Sequence, residues 1–492
     1  MILAAAIGVA LAGGLLSLGL ALRLPRAAAA IAIGAAAVVA GVGLTMDPGA
    51  TLLIGGTALV ASDEARLAAT GWAAGLVLLG LLGLASGRAA IVTGAGLLAL
   101  AAGLTALTVD GPTTAFAALA VGALVATIVP ALAGWLGGHG DEPPVGLAAR
   151  SAAAATSGGL LGLVFAAWSI SPSGPLGSTG VVEPDAAARS AAGLALVAMA
   201  AIVIVRGGGI PAHLWAARFV GGVSTLAVPS ALAWGTAVFA IVALRWSSAV
   251  AGSVSLRPDD VERLLVLGAA LASVLLGGLA SMLHDDLEHI LGYLLIQDVG
   301  VGLFAFAAIG PDATLAATTW LLASAAVGMA FAGWIAATSW AFGTRRLPDL
   351  GGWARRAPIL AASGALVVVG AVGIPGMALF DARADLVAGA LPEWLGPVVI
   401  GVATVSPVLA LGRVLAAGLR RSSIEVARAP NARVGRVVGA IGGWSGRGPR
   451  WWLRTGASVA RANAGVGVGV VTILLGAIGL AIAVVGVGTA AS

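Results

Sequence analysis

Residues 203–219 read VIVRGGGIPAHLWAARF, and residues 372–386 read VGIPGMALFDARADL. Each stretch sets Gly and Pro inside a long apolar run and places a charged side chain, Arg206 or Arg383, beside them. Gly and Pro interrupt helices, because Gly is conformationally free and Pro lacks a backbone N–H. In a membrane such a break is tolerated only where the freed backbone groups are buried in protein or line a wet cavity. Two breaks in one hydrophobic chain indicate a membrane fold built from inverted repeats.

The composition of the whole chain indicates that its solvent is lipid. Of its 492 residues, 60% are hydrophobic and 10% are charged, whereas about a quarter of the residues in a soluble domain are charged. The 74 Gly residues suit helices that pack closely where lipid provides no hydrophobic drive for association. We expect a multi-pass protein of the bacterial cytoplasmic (inner) membrane.

Missing residue types exclude several kinds of chemistry. The chain has no Cys, which excludes thiolate metal sites and iron–sulfur clusters, and it has no Lys, so every fixed positive side chain is Arg. Its four His residues lack the spacing of a metal site or of paired haems. We predict no metal, no cofactor and no catalytic centre of its own. Nucleic acid is not an expected partner, because the Arg residues lie between apolar spans.

Runs of apolar residues long enough to cross about 30 Å of hydrocarbon recur along the chain. They predict an all-α polytopic membrane protein, a single domain over residues 1–490, with about fourteen spans of roughly 20 residues each. The predicted spans are 1–22, 27–46, 67–87, 89–109, 113–136, 151–170, 191–205, 220–246, 261–283, 289–309, 314–342, 359–380, 395–418 and 466–488.

The two breaks lie about five predicted spans apart, which fits two related five-helix units, although no residue-level repeat is visible. The predicted parts are N-terminal helices 1–112, a first unit 113–246 broken near 206–211, a second unit 261–418 broken near 373–383, an Arg-rich cytoplasmic loop 419–465 and a last helix 466–488.

Arg residues concentrate in the loops that follow odd-numbered spans. The positive-inside rule places these loops in the cytoplasm and both termini on the outer face. The loop 419–465 is rich in Arg and holds one acid, Glu425. It either lies on anionic lipid or docks a partner.

Three stretches resemble one family in order along the chain. RGGGIPAHLW, residues 206–215, is similar to the K-x-x-x-x-P-F-H-x-W motif of the antiporter-like membrane subunits of respiratory complex I, Mrp-type cation/proton antiporters and membrane-bound hydrogenases. Pro211, His213 and Trp215 match that motif, and Arg206 stands where the family has Lys.

The second stretch, DLEHILGYLLIQDVG at residues 286–300, resembles the family's D-x-K-R-x-L-A-Y-S-x-x-x-Q-x-G. Glu288 and His289 replace the basic pair of that motif, and Asp298 falls at its Gln position. The residues that match are Asp286, Leu291, Tyr293 and Gly300.

The third stretch is GTRRLPDLGGWARRAP, residues 343–358, followed by VGIPGMALFDAR. It looks like the family's T-R-D-L-x-x-L-G-G-L-x-x-x-M-P and G-I-P-P-x-x-G-F-x-x-K, with Arg383 where the family has Lys or Glu. The resemblance implies an antiporter-like fold, the lipid bilayer and other membrane subunits as partners, and protons or Na⁺ as transported ions. It also implies a place in a redox-driven proton-pumping complex, of the complex I-like NADH-quinone oxidoreductase or hydrogenase type.

The resemblance further implies a mid-membrane row of Lys, Glu and His residues that passes protons, gated by a Glu–Lys pair in the first half. Here the span 113–136 contains no acid, and Ser324 and Gly328 stand where the row continues in span 314–342. Guanidinium groups keep their charge under ordinary conditions, so Arg206 and Arg383 are poor proton relays. We therefore expect a degraded row that conducts poorly or along an altered path.

Seven residues are candidates for that proton or ion path. His side chains, and carboxylates whose pKa burial raises, are the groups able to titrate near pH 7. The candidates are Arg206, His213, Glu288, His289, Asp298, Asp381 and Arg383.

Each candidate also has a structural interpretation. Glu288 and His289 lie at a span boundary, where a hydrated interfacial pair is the alternative to a relay. Arg383 can form a local ion pair with Asp381 or Asp385, and His213 can be a hydrogen-bonded core residue. For the whole chain, the alternative functions are a structural scaffold, or a stand-alone or Mrp-type cation/proton antiporter or bicarbonate-uptake module.

Overall fold

The computed structural model describes residues 1–136, 157–158, 160, 186–252, 260–308, 310–420 and 451–486. The predicted span 151–170 and most of the predicted loop 419–465 lie outside the described residues. The side chains of 134–136, 186–191, 217–218, 249–252 and 451–466 are likewise outside them.

Helices form nearly all of the described chain. A π-helical turn at Ala68–Trp72 joins α3 to α4, and another at Pro229–Trp234 leads into α9. The elements are α1 Ile2–Leu20, α2 Pro25–Leu44, β1 Thr51–Ile54, β2 Thr57–Val60, α3 Asp63–Leu67, α4 Ala73–Ser86, α5 Ala89–Thr108, α6 Pro112–Leu136, α7 Ala186–Gly207, α8 His213–Gly222, α9 Gly235–Gly252, α10 Val261–Leu283, α11 Leu287–Ala308, α12 Pro311–Phe342, α13 Trp353–Arg356, α14 Pro358–Val372, α15 Ala378–Ala390, α16 Gly396–Leu419 and α17 Trp451–Val485.

Eleven helical segments within the described residues are long and apolar enough to cross a membrane. Two shorter apolar helices, Ala192–Gly207 and Pro358–Val372, add to them. The prediction of an all-helical, multi-pass membrane protein is confirmed, whereas the count of about fourteen spans is not.

Both predicted helix breaks are present. α7 ends at Gly207, and Gly208 follows with φ +69°, a conformation that strains any residue with a side chain. A Cβ on Gly208 would also lie 2.3 Å from the Cβ of Ala216 in α8. In the second break, Gly373 has φ +57° directly after α14.

The first broken helix runs from the end where α10 begins toward the end where α11 begins. Gly193, early in α7, faces Glu262 in the first turn of α10, and Gly207 faces Val299 midway along α11. α8 then continues past Gly292, near the start of α11. The break therefore lies about midway along the neighbouring helices α10 and α11.

The second broken helix runs the opposite way. It starts beside the C-terminus of α16, where the Gly352 N–H donates to the Ala417 carbonyl at 2.9 Å, and Gly389 in α15 lies against Ala308, the last residue of α11. Two broken helices of opposite direction are the arrangement that an inverted-repeat fold requires.

The two ends of the bundle differ in charge. At one end the Leu287 N–H donates to the Arg345 carbonyl at 3.1 Å, and Arg413 donates to the His284 carbonyl at 3.3 Å. The opposite end carries the β1–β2 hairpin and an ion pair of 2.9 Å between Arg245 and Glu64. We call the first one the Arg-rich end, because it holds Arg23, Arg26, Arg88, Arg345, Arg346, Arg355, Arg356, Arg413 and Arg420.

Small residues let α10 and α11 approach closely. A Cβ on Gly300 of α11 would lie 2.7 Å from the Val274 backbone nitrogen and 2.8 Å from the Ser273 Cβ of α10. One on Gly277 would lie 2.8 Å from the Gln297 nitrogen. Because backbone atoms cannot move aside as a side chain can, these Gly residues set the distance between the helices.

We expect Gly300→Val to lower the free energy of unfolding by about 1–3 kcal/mol, the usual cost of overpacking. Thermal unfolding of the purified chain in detergent measures the loss. Gly268→Val on α10 is the matched control, because no atom lies within 4 Å of its added Cβ. Equal destabilisation by both substitutions would contradict close backbone packing at Gly300.

Candidate functional site

Arg383 is fully buried on α15, and its guanidinium bonds three backbone carbonyls. Nη1 donates to Ala403 at 3.2 Å, and Nη2 donates to Val372 at 3.1 Å and to Gly373 at 3.2 Å. Val372 ends α14, so its carbonyl has no helical partner. Ala403 precedes Pro407 by four residues, and Pro407 has no N–H to offer it. Arg383 therefore supplies the donors that two helix interruptions remove.

Gln297 on α11 shares this arrangement. Its amide nitrogen donates to the Ala403 carbonyl at 3.1 Å and to the Ser406 hydroxyl at 2.7 Å. Its Oε1 is buried and has no hydrogen-bond partner among the described residues. The arrangement thus presents an unsatisfied acceptor as well as a cation.

Asp298 and Arg383 line one cavity of about 30 Å³. One water molecule needs a cavity of about 10–15 Å³, so this cavity has room for water. Ser324 and Gly328, the small residues that replace the family's relay position, line the same cavity. The structure therefore brings two candidates, Asp298 and Arg383, together with Ser324 and Gly328.

The Asp298 carboxylate and the Arg383 guanidinium face the cavity without a direct ion pair, since no N–O distance between these two described residues is within 4.0 Å. The Trp320 indole N–H donates to the Asp298 backbone carbonyl at 2.9 Å, and its ring centroid lies 5.7 Å from the Arg383 guanidinium carbon. Trp320 thus contacts both the backbone of Asp298 and the guanidinium of Arg383.

Arg206, at the first break, lies over an aromatic ring. Its guanidinium carbon is 5.0 Å from the centroid of Phe239 on α9. A small cavity of about 10 Å³ separates it from Gly122, Ala123 and Ala126 of α6. No carboxylate of the described residues forms an ion pair with Arg206 within 4.0 Å.

Glu288 lies in the first turn of α11, at the Arg-rich end. It is 1% exposed and accepts hydrogen bonds from the Thr225 hydroxyl and from Arg345 Nη1. Ten residues separate it from Asp298 on the same helix, about 15 Å at 1.5 Å per residue. Both oxygens of Glu288 are therefore satisfied locally, far from the Asp298 cavity.

His289 belongs to a stack of rings at the same end. Its ring lies 5.2 Å from that of His284, which in turn lies 4.8 Å from the Tyr293 ring. His289 Nδ1 is 3.6 Å from an Asp286 carboxylate oxygen, an ion pair when His289 is protonated. Partial burial and the charge of His289 lower the pKa of His284, which lies between α10 and α11.

The remaining candidates lie apart from these groups. His213 is the first residue of α8, and its buried Nδ1 has no hydrogen-bond partner among the described residues. Asp381 and Asp385 are exposed on α15, and neither forms an ion pair with Arg383 within 4.0 Å. The alternative of a local ion pair at Arg383 is therefore wrong in the described structure.

The sequence prediction missed Gln297, Ser406, Thr225 and Arg345. A signal was available for the first two, because Pro407 inside an apolar span implies a free carbonyl four residues earlier that needs a donor. No local pattern links Thr225 or Arg345 to Glu288, since they lie 63 and 57 residues from it.

A helical membrane bundle with two oppositely directed broken helices and a charged group at each break defines an antiporter-like membrane protein. The chain belongs to the family described as "NADH:quinone oxidoreductase/Mrp antiporter, TM", whose model matches residues 156–409. No curated protein sequence matches the chain.

Solved structures share the fold across nearly the whole chain. A chain of respiratory complex I from Thermus thermophilus with bound NADH is 17% identical with a TM-score of 0.69, and the match covers 97% of this chain and 99% of that one. A chain of the Mrp complex from Dietzia sp. DQ12-45-1b is 19% identical with a TM-score of 0.61, and the match covers 98% of this chain and 92% of that one. A chain of the archaeal membrane-bound sulfane sulfur reductase is 13% identical with a TM-score of 0.65, and the match covers 98% of this chain and 99% of that one.

We expect Arg383→Met to lower the free energy of unfolding by about 2 kcal/mol or more, because it leaves the Val372 and Gly373 carbonyls without a donor at about 1–3 kcal/mol each, whereas Ala403 keeps the Gln297 amide. Arg383→Lys should lose less, since it keeps the charge but lacks the fork that reaches three carbonyls. Thermal unfolding in detergent gives both values. Arg355→Met, at an exposed Arg of the Arg-rich end, is the control, and wild-type stability in Arg383→Met would contradict the assigned role.

Proposed function

We propose that this chain is an antiporter-like membrane subunit of a larger redox-driven complex, of the complex I or hydrogenase type, and that its own proton row conducts poorly. The observation that carries the proposal is the surroundings of Arg206. This cation lies at the first helix break against Phe239 and the small residues of α6, with no carboxylate in ion-pair contact among the described residues.

A gate made of an acid and a base needs two groups whose attraction changes when a proton arrives. Arg206 keeps its charge, because guanidinium does not release its proton under ordinary conditions. α6 offers Gly122, Ala123 and Ala126 across the cavity, so no charge opposes Arg206 there. Among the described residues, Arg206 therefore faces neither a titrating base nor an acid across this cavity.

In the second half, Asp298 is the one carboxylate that lines the Arg383 cavity. Asp298 can bind and release a proton, whereas Arg383 is held by three carbonyls and stays charged. Ser324 and Gly328 contribute a hydroxyl and no side chain to the cavity wall. An altered path would have to join Asp298 to Glu288, His289 or Asp381, and these lie at the Arg-rich end or on the exposed face of α15.

Exposed acids on α15 favour a subunit over a stand-alone transporter. Asp381 lies one turn after the second break, and Asp385 follows one turn later on the same exposed face. Charged side chains inside membrane spans face protein or water and avoid lipid. A neighbouring membrane subunit is the partner that this face fits.

The charge difference between the two ends supports an orientation. The positive-inside rule places the Arg-rich end in the cytoplasm, in a bacterial inner membrane, and puts the end that carries the β1–β2 hairpin outside. That orientation agrees with both termini on the outer face, as the sequence predicts.

Proton uptake by vesicles containing the purified chain tests the degraded row. We expect a flux only slightly above that of empty vesicles, and we expect Asp298→Asn to bring it down to the empty-vesicle level if a residual path uses this acid. Glu288→Gln tests the Arg-rich end in the same assay, and Glu393→Gln, at an exposed acid, is the control. A fast flux from the isolated chain, driven by Na⁺ or a pH gradient, would contradict the proposal and support an independent antiporter.

Charge reversal at Asp381 tests the subunit assignment. We expect Asp381→Lys to reduce the amount of other membrane subunits that co-purify with the tagged chain, because it places a repelling charge at the proposed interface. Glu393→Lys, also exposed, should leave co-purification unchanged. Loss of partners in neither variant would argue against α15 as the interface.

A further inference from the structure

A cleft of about 250 Å³ lies at the Arg-rich end between α4, α12 and Val468 of α17. Arg88, Arg345 and Glu288 supply its charged groups, and Trp340 forms part of its wall. Arg345 and Trp340 remain 40% and 36% exposed, so the cleft is open to its surroundings. It is separate from the Asp298 cavity, with which it shares no lining residue.

The charges in the cleft do not cancel. Glu288 is satisfied by Thr225 and Arg345, so one acid and one Arg neutralise each other. Arg88 forms no ion pair within 4.0 Å with any acid of the described residues. One positive charge is left, and Arg345 has further N–H donors beyond the one that binds Glu288.

Other polar groups of the cleft can also serve an anion. Arg88 directly precedes α5, whose first N–H groups have no helical acceptor. Ser224 and Ser339 line the cleft with hydroxyl groups, which can donate hydrogen bonds. The cleft thus combines a cation without an acidic partner with several neutral donors.

The rest of the wall is apolar. Leu82, Ala85 and Val468 line the cleft, and the neighbouring Leu81 and Leu84 of α4 are 39% and 47% exposed. An exposed apolar face on a membrane-spanning helix is where lipid acyl chains pack. The cleft therefore combines cationic and hydroxyl groups with an apolar wall next to the lipid-facing side of α4. Binding of free phosphate would not require the apolar wall.

We propose that this cleft binds the phosphodiester headgroup of an anionic phospholipid. Arg88 is the main charged contact of the headgroup. Arg345 donates further hydrogen bonds to it while its Nη1 stays bonded to Glu288, and the acyl chains lie along α4. Basic clefts between membrane helices at the cytoplasmic side suit such headgroups. The site does not depend on whether the chain conducts protons.

Native mass spectrometry of the full chain in detergent, titrated with phosphatidylglycerol or phosphatidylcholine, tests the site. We expect one preferential phosphatidylglycerol site, with binding weakened about tenfold in Arg88→Gln, the effect of losing a charge-assisted hydrogen bond. Arg88→Lys should retain most of the affinity. Arg355→Gln, an Arg of the same end outside the cleft, should bind as the wild type does.

Ala85→Trp tests the space independently of the charge, because it fills the cleft and leaves both Arg residues in place. We expect it to weaken phosphatidylglycerol binding as Arg88→Gln does, in protein that remains monodisperse. If it does not fold, the comparison of Arg88→Gln with Arg88→Lys decides alone. Unchanged affinity in Arg88→Gln, or equal binding of phosphatidylcholine, would overturn the proposal. Displacement of the lipid by millimolar inorganic phosphate would overturn the proposal too, and would assign the site to a free anion.

Discussion

The hydrogen bonds from Arg383 to Val372, Gly373 and Ala403 are the interaction on which the second half of the structure depends. Lipid offers no water to satisfy a backbone carbonyl, so each interruption of a membrane helix needs donors from elsewhere in the protein. The end of α14 and the Pro407 site in α16 each free a carbonyl. One guanidinium serves both, because its planar fork presents several N–H groups to carbonyls from different helices.

That structural role limits what the residue does in transport. A guanidinium fixed by carbonyls keeps its charge under ordinary conditions, so it biases the charge of its neighbours and is a poor proton relay. Asp298 faces the same small cavity, so its protonation is tied to the field of Arg383. At the first break, Arg206 lies against Phe239 and meets no acid on α6. The two halves thus share a broken-helix backbone, and in neither does the Arg at the break form an ion pair with a carboxylate of the described residues.

The sequence placed the breaks well because Gly and Pro act locally, and Gly208 and Gly373 adopt the positive φ values that such breaks use. The sequence was less informative about which charged side chains contact one another. Glu288 and Asp298 were candidates for one path because burial can bring a carboxylate into the range where it titrates near pH 7. The fold separates them, since Glu288 binds Thr225 and Arg345 at the Arg-rich end. The ion pair of Arg383 with Asp381 or Asp385, which the sequence left open as an alternative, does not form, because the guanidinium donates to the Val372, Gly373 and Ala403 carbonyls instead.

By itself, the sequence determined the membrane class, the two interrupted helices, the absence of Lys and the absence of acid in the span 113–136. Each of these follows from composition or from residues adjacent in the chain, whose effects are local. Only the tertiary structure decided the partners of each charge, the cavity that joins Asp298 to Arg383 and the cleft between Arg88 and Arg345. Hydrophobic spacing sets the length and depth of a membrane helix. It does not set which distant helix packs against it, and in lipid that packing decides which polar groups can be satisfied.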